Sequence, residues 1–85
     1  MAETVTSWLV YILECGDGTF YTGITNDIDQ RLNAHRAGTA ARYTRHRQPV
    51  KLLYTEPHPD RSSASKREYE IKSMPRAAKI SLMGH

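Results

Sequence analysis

Glu68 is the residue whose position most needs a chemical explanation. Ala64, Glu68, Ile71 and Met74 recur at helical spacing as one apolar stripe, so a carboxylate stands where burial is expected. Such a group is costly unless it is paired, protonated or bound to a metal. One carboxylate completed by phosphate oxygens and waters is a usual Mg²⁺ shell, whereas an ion pair with Arg31 would be purely structural. Lys66 and Glu70, on the same helix, have solvated positions; Glu68 does not.

Arg31 and His35 raise the same question with the opposite sign. Ile28, Arg31, Leu32 and His35 fall at i, i+3, i+4 and i+7, a single helical stripe. Ile28 and Leu32 face the core, and Arg31 and His35 sit at its edge, looking toward the sheet. They are either a salt-bridged edge or a site. The lone histidine also fits a satisfied structural role.

Tyr11 and Tyr21 lie on successive strands around Gly16-Asp17-Gly18. A three-residue loop pairs Cys15 with Thr19, puts both tyrosines on one face and sets Tyr11 opposite Gly23, where the missing side chain leaves room above the ring. A two-residue loop would place the tyrosines on opposite faces. Strand tyrosines are also ordinary core residues.

Between Gln30 and Thr55 there is no Asp or Glu, while Arg31, Arg36, Arg42, Arg45, Arg47 and Lys51 supply six positive charges. His35, Tyr43 and His46 are interleaved with them. Such a run tracks phosphates, and the guanidinium fork suits them better than an ammonium does. The alternative is a solvated basic loop that aids solubility. The net charge of +3 and the pI near 9.2 agree with an anionic partner without requiring one.

The elements that must position these groups follow from turn and cap signals. Trp8 to Leu13 is apolar on both parities, as in a strand covered on both faces. Gly16-Asp17-Gly18 marks a hairpin, and Thr19 to Thr25 resumes strand character. Asn26 and Asp27 are good caps for a helix over 27–37, and Gly38 follows its end. Thr39 to Pro49 reads as a basic loop, 50–55 as a third strand and 56–59 as a break. Ser62 can cap a helix to about Ser73, and Pro75 opens a last one to about Met83. The order β-β-α-β-α-α gives an α+β fold, a small three-stranded antiparallel sheet flanked by helices.

The 85 residues make one domain, with a core at about 8–83 and a loose arm at 1–7. A single cysteine, Cys15, excludes an internal disulfide framework and a multi-cysteine zinc cluster. The start carries no Lys or Arg before a short apolar run, so neither a signal peptide nor a membrane span is expected, and a cytoplasmic protein is the default.

Taken together, these positions resemble the GIY-YIG endonuclease domain, most of all its small standalone branch. Leu9-Val10-Tyr11 stands for the first signature and Tyr21-Thr22-Gly23 for the second. Thr25-Asn26-Asp27-Ile28 with Arg31 and His35 matches the next segment, and Glu68 falls where the family's metal-binding glutamate is expected. Leu9, Val10 and Thr22 depart from the family letters but spare Tyr11, Tyr21 and Gly23.

The resemblance implies hydrolysis of phosphodiesters with one divalent ion, Mg²⁺ or Mn²⁺, on Glu68. Arg31 would hold the phosphate, Tyr11 would act as base or orient the water, and Tyr21 and His35 would position water and phosphate or relay a proton. Gly23 and Asn26 would support the site. Arg36, Arg42, Arg45, Arg47 and Lys51 would bind nucleic acid, DNA ahead of RNA and including structured or damaged DNA. A homodimer or protein partner would supply specificity. The competing readings are a non-catalytic nucleic-acid-binding module on this fold and a small basic partner-binding protein.

Overall fold

The computed structural model describes residues 7–84. The expected N-terminal arm lies outside them except for Ser7. Two strands, β1 (Trp8–Glu14) and β2 (Phe20–Thr25), precede helix α1 (Ile28–Arg36) and a one-turn helix α2 (Arg42–Arg45). Strand β3 (Lys51–His58) and helices α3 (Arg61–Lys72) and α4 (Arg76–Leu82) complete the chain. The fold is α+β, with one antiparallel sheet in the order β2-β1-β3.

β1 is apolar on both parities because it is central and covered on both faces. Val10 and Ile12 pack with Ala64 and Ile71 of α3, and Met74, Leu82 and Met83 close that side. Tyr11 and Leu13 point the other way, among Cys15, Val50, Ile28, Leu32 and Leu52. Burial of each large aliphatic side chain contributes about 1.5–3 kcal/mol, so these two thin cores hold the fold together.

α1 begins where Asp27 accepts a hydrogen bond from Gln30 N at 3.1 Å. Thr25 Oγ1 braces the same corner, accepting from Asp27 N at 3.0 Å. The helix ends ahead of Gly38, whose φ of 80° suits a residue without Cβ.

Four expectations are corrected. The stretch 39–49 is not all loop, because α2 interrupts it. α3 is capped by Asp60, which accepts from Ser63 N at 2.8 Å, rather than by Ser62. Val50 precedes β3 instead of opening it. Lastly, 56–58 is not a break but the continuation of β3, with Pro57 paired to Leu9.

An edge strand admits proline because alternate N–H groups point away from its one neighbour. Side chains from the extension also bind it to α3. Glu56 Oε1 accepts from Arg67 Nε at 2.9 Å and His58 Nε2 at 2.8 Å, and its Oε2 accepts from Tyr54 at 2.8 Å. Burial alone would raise the Glu56 pKa, but the bonds from Arg67, His58 and Tyr54 win and hold it at about 2. Among the described residues, no helix is long and apolar enough to cross a membrane.

Candidate active site

The hairpin register brings the first two groups together. Cys15 N bonds Thr19 O at 2.8 Å across the Gly16–Gly18 loop, and Tyr11 pairs with Gly23. Tyr11 and Tyr21 therefore share a face, with ring centroids 6.4 Å apart. A Cβ on residue 23 would lie 2.5 Å from the Tyr11 hydroxyl, so only glycine leaves that hydroxyl its place.

α1 lays its Ile28–Leu32 stripe on this face and carries His35 in with it. The imidazole is 1% exposed, more deeply set than the edge position expected from the stripe. It lies edge-on to both tyrosine rings, with centroids 5.6 Å from Tyr11 and 5.0 Å from Tyr21. His35 Nε2 is 2.7 Å from the Tyr11 hydroxyl, and Nδ1 is 2.8 Å from Thr44 Oγ1. Burial, helped by the Arg31 charge, lowers the His35 pKa to about 4, so the ring is neutral at neutral pH. Burial and the neighbouring Tyr21 push the Tyr11 phenol well above its usual value; Arg31 pulls it down and Glu68 pushes it up.

Arg31 and Glu68 thus both act on Tyr11, from different helices. Arg31 is exposed and opens, with Asn26, onto a cavity of ≈ 250 Å³ also walled by Thr25, Gln30 and Ala34. Asn26 stands in that wall, while Asp27 and Thr25 do the capping. The Glu68 side chain is 23% exposed and pairs with Lys72 Nζ at 3.0 Å, one helical turn on. Neither the full burial nor the Arg31 pairing considered from sequence is present.

The basic run divides in two. Arg36, Arg42, Arg45 and Lys51 are exposed. Arg47 is engaged: Nε donates to Asp17 at 3.0 Å, Nη1 to Tyr43 O at 3.1 Å, and the guanidinium stacks 3.9 Å from the centre of the Tyr43 ring. Tyr43 continues the aromatic row, 5.9 Å from Tyr21. Lys51 lies farther off, opposite Glu14 at the loop end of β1.

Two residues escaped the sequence. Thr44, on the buried side of α2, touches His35, and Gln48 Nε2 donates to His35 O at 2.6 Å and Thr44 O at 2.9 Å. In sequence both sit unmarked among arginines, with no periodicity to expose them.

The described residues hold no group of three or more His, Cys, Asp or Glu arranged for a metal. A single half-buried carboxylate beside Tyr11 fits a hard divalent ion bound mostly through phosphate and water, and does not fit a zinc site.

Residues 7–81 match the family model of the GIY-YIG catalytic domain. The chain belongs to the GIY-YIG family. Family membership implies nuclease chemistry on nucleic acid, generally with a divalent metal. This GIY-YIG chain is similar to the UPF0213 protein of Xanthomonas axonopodis pv. citri, 47% identical over 92% of the chain and 76% of that protein. It is 51% identical to a UPF0213 protein of Halobacterium salinarum over 86% of the chain and 95% of that protein. The solution NMR structure of a UPF0213 protein from Bacillus halodurans is similar, with TM-score 0.58 and 45% identity, over 89% of this chain and 81% of that one.

Proposed function

We propose that this domain, core residues about 8–83, is a metal-dependent endonuclease that hydrolyses phosphodiesters in DNA, including structured or damaged DNA. The observation that carries the reading is the 2.7 Å hydrogen bond between Tyr11 and a neutral, buried His35, beside Arg31. Arg31 binds the scissile phosphate and neutralises charge developing on its oxygens. Tyr11 orients the attacking water and takes its proton as the phenolic proton passes to His35 Nε2. Tyr21 packs against both rings and fixes their angle to the phosphate. Glu68 would hold one Mg²⁺ or Mn²⁺, and that ion would supply Lewis-acid stabilisation of the leaving oxygen. Arg36, Arg42 and Arg45 hold the flanking backbone, with Lys51 as a more distant contact.

The 2.7 Å hydrogen bond aims a proton acceptor at the Tyr11 phenol, a pairing that binding alone does not require, which favours the enzyme over a binding module. The test is cleavage of supercoiled, single-stranded and branched DNA and of RNA, in Mg²⁺, Mn²⁺ or EDTA. Metal-dependent cutting of DNA that is lost in Tyr11→Phe supports the proposal. Binding without cutting, on every substrate and with either metal, overturns it in favour of the binding module.

A further inference from the structure

We infer that Thr44 is a positioning residue that holds His35 as its Nδ1–H tautomer, leaving Nε2 bare to receive the Tyr11 proton. The inference rests on the catalytic reading above for its consequence, but not for its geometry. Thr44 is 0% exposed, the one buried residue of α2. Its Oγ1 lies 2.8 Å from His35 Nδ1 and 3.2 Å from the carbonyl of Ala41.

A hydroxyl has one proton, and a carbonyl can only accept. With the Thr44 proton given to Ala41 O, Oγ1 is left to accept from His35 Nδ1–H. A neutral imidazole carries one proton, so Nε2 is left as an acceptor facing the Tyr11 O–H at 2.7 Å. The chain runs one way, from Tyr11 to His35 to Thr44 to Ala41. The reverse assignment would have Nε2–H donate to Tyr11, leaving the phenol no base.

The surroundings explain how one turn of helix achieves this. Gln48 bridges the carbonyls of His35 and Thr44 and so sets the distance between α1 and α2. Arg47, held by Asp17 and by Tyr43 O, ties the end of α2 to the hairpin loop. Without these ties a four-residue helix would not hold one hydroxyl in place. The outer side of α2 carries Arg42, Tyr43 and Arg45 toward solvent, while Thr44 alone faces His35.

The decisive experiment is long-range ¹H–¹⁵N NMR of His35 in the intact protein, with Thr44→Val and Thr44→Ser alongside. Wild type should show Nδ1–H. Thr44→Val, which keeps the shape and removes the acceptor, should move the proton to Nε2; Thr44→Ser should restore Nδ1–H. Cleavage by Thr44→Val should fall on the order of 10²-fold in kcat with KM little changed, and Thr44→Ser should recover most of it. An Nε2–H tautomer in wild type overturns the inference whether or not Thr44→Val folds. So does a tautomer unmoved by Thr44→Val, or one that moves without changing kcat. If the tautomers behave as stated but wild type cuts nothing, the nuclease reading falls and the assignment of Thr44 stands.

Discussion

The Tyr11 hydroxyl stands against Gly23, in space that a Cβ on the neighbouring strand would occupy at a distance of 2.5 Å. Tyr11 is 2% exposed and its hydroxyl is tied to His35, so the ring has little room to swing clear. Gly23→Ala should therefore cost roughly 1–3 kcal/mol, as overpacking does. It should also displace the phenol by enough to slow cleavage about 10²-fold. Thermal melting with single-turnover cleavage checks both. Full activity in Gly23→Ala would mean that the hydroxyl's position is not critical.

Glu68→Ala should leave the fold nearly intact, changing stability by less than about 1 kcal/mol. Its partner Lys72 is 53% exposed and is not stranded by the loss. Cleavage should drop on the order of 10²-fold or more, while DNA affinity in EDTA hardly changes. A large fall in melting temperature, with residual cleavage tracking the folded fraction, would make Glu68 structural.

Acid should weaken the fold in two separable windows. The His35 pKa drops from 6.5 to about 4 on folding, so its contribution is complete above pH 6.5 and is lost as pH falls from there to 4. At about 1.4 kcal/mol per unit this amounts to about 3 kcal/mol. The Glu56 pKa drops from 4.5 to about 2, giving a second loss as pH falls from 4.5 to 2. Urea unfolding across pH 2–7 should show both slopes. Glu56→Gln should remove only the lower one.

Arg42→Ala with Arg45→Ala should reduce the log–log salt slope of DNA binding by roughly two, because both side chains are exposed and each would release about 0.9 of a counterion. Arg47→Ala should behave differently. It frees Asp17 and unstacks Tyr43, so it should lower the melting temperature more than either exposed arginine does. An unchanged slope in the double variant would make the run ordinary surface.

The hairpin was legible from Gly16-Asp17-Gly18, but a two-residue and a three-residue loop both fitted the sequence, and the observed register decides which side chains share a face. α1 was legible from its stripe and from Asp27. α2 was not: four residues carry no periodicity, and no side chain caps it. The run through Pro57 looked like a break because a strand's place at the sheet edge is invisible until the sheet is assembled. Glu68 drew attention through its apolar stripe, which obscured the simpler local pairing with Lys72 four residues on. Thr44 needed the tertiary fold, since it meets His35 only after two helices have closed on each other.

The three-residue turn also limits how the gene can change. If the turn keeps its three-residue form, losing or gaining one residue shifts β2 by one position and exchanges its two faces. Phe20, Thr22 and Ile24 would come to the site, and Tyr21, Gly23 and Thr25 would leave it. No single substitution could reverse such a shift, because every side chain on the strand would be on the wrong side at once. The turn is also held from outside, by Gly16 N on Arg47 O and by Arg76 on Gly18 O at 2.9 Å. Insertions and deletions that preserve this turn are therefore compatible with the site only in steps of two residues.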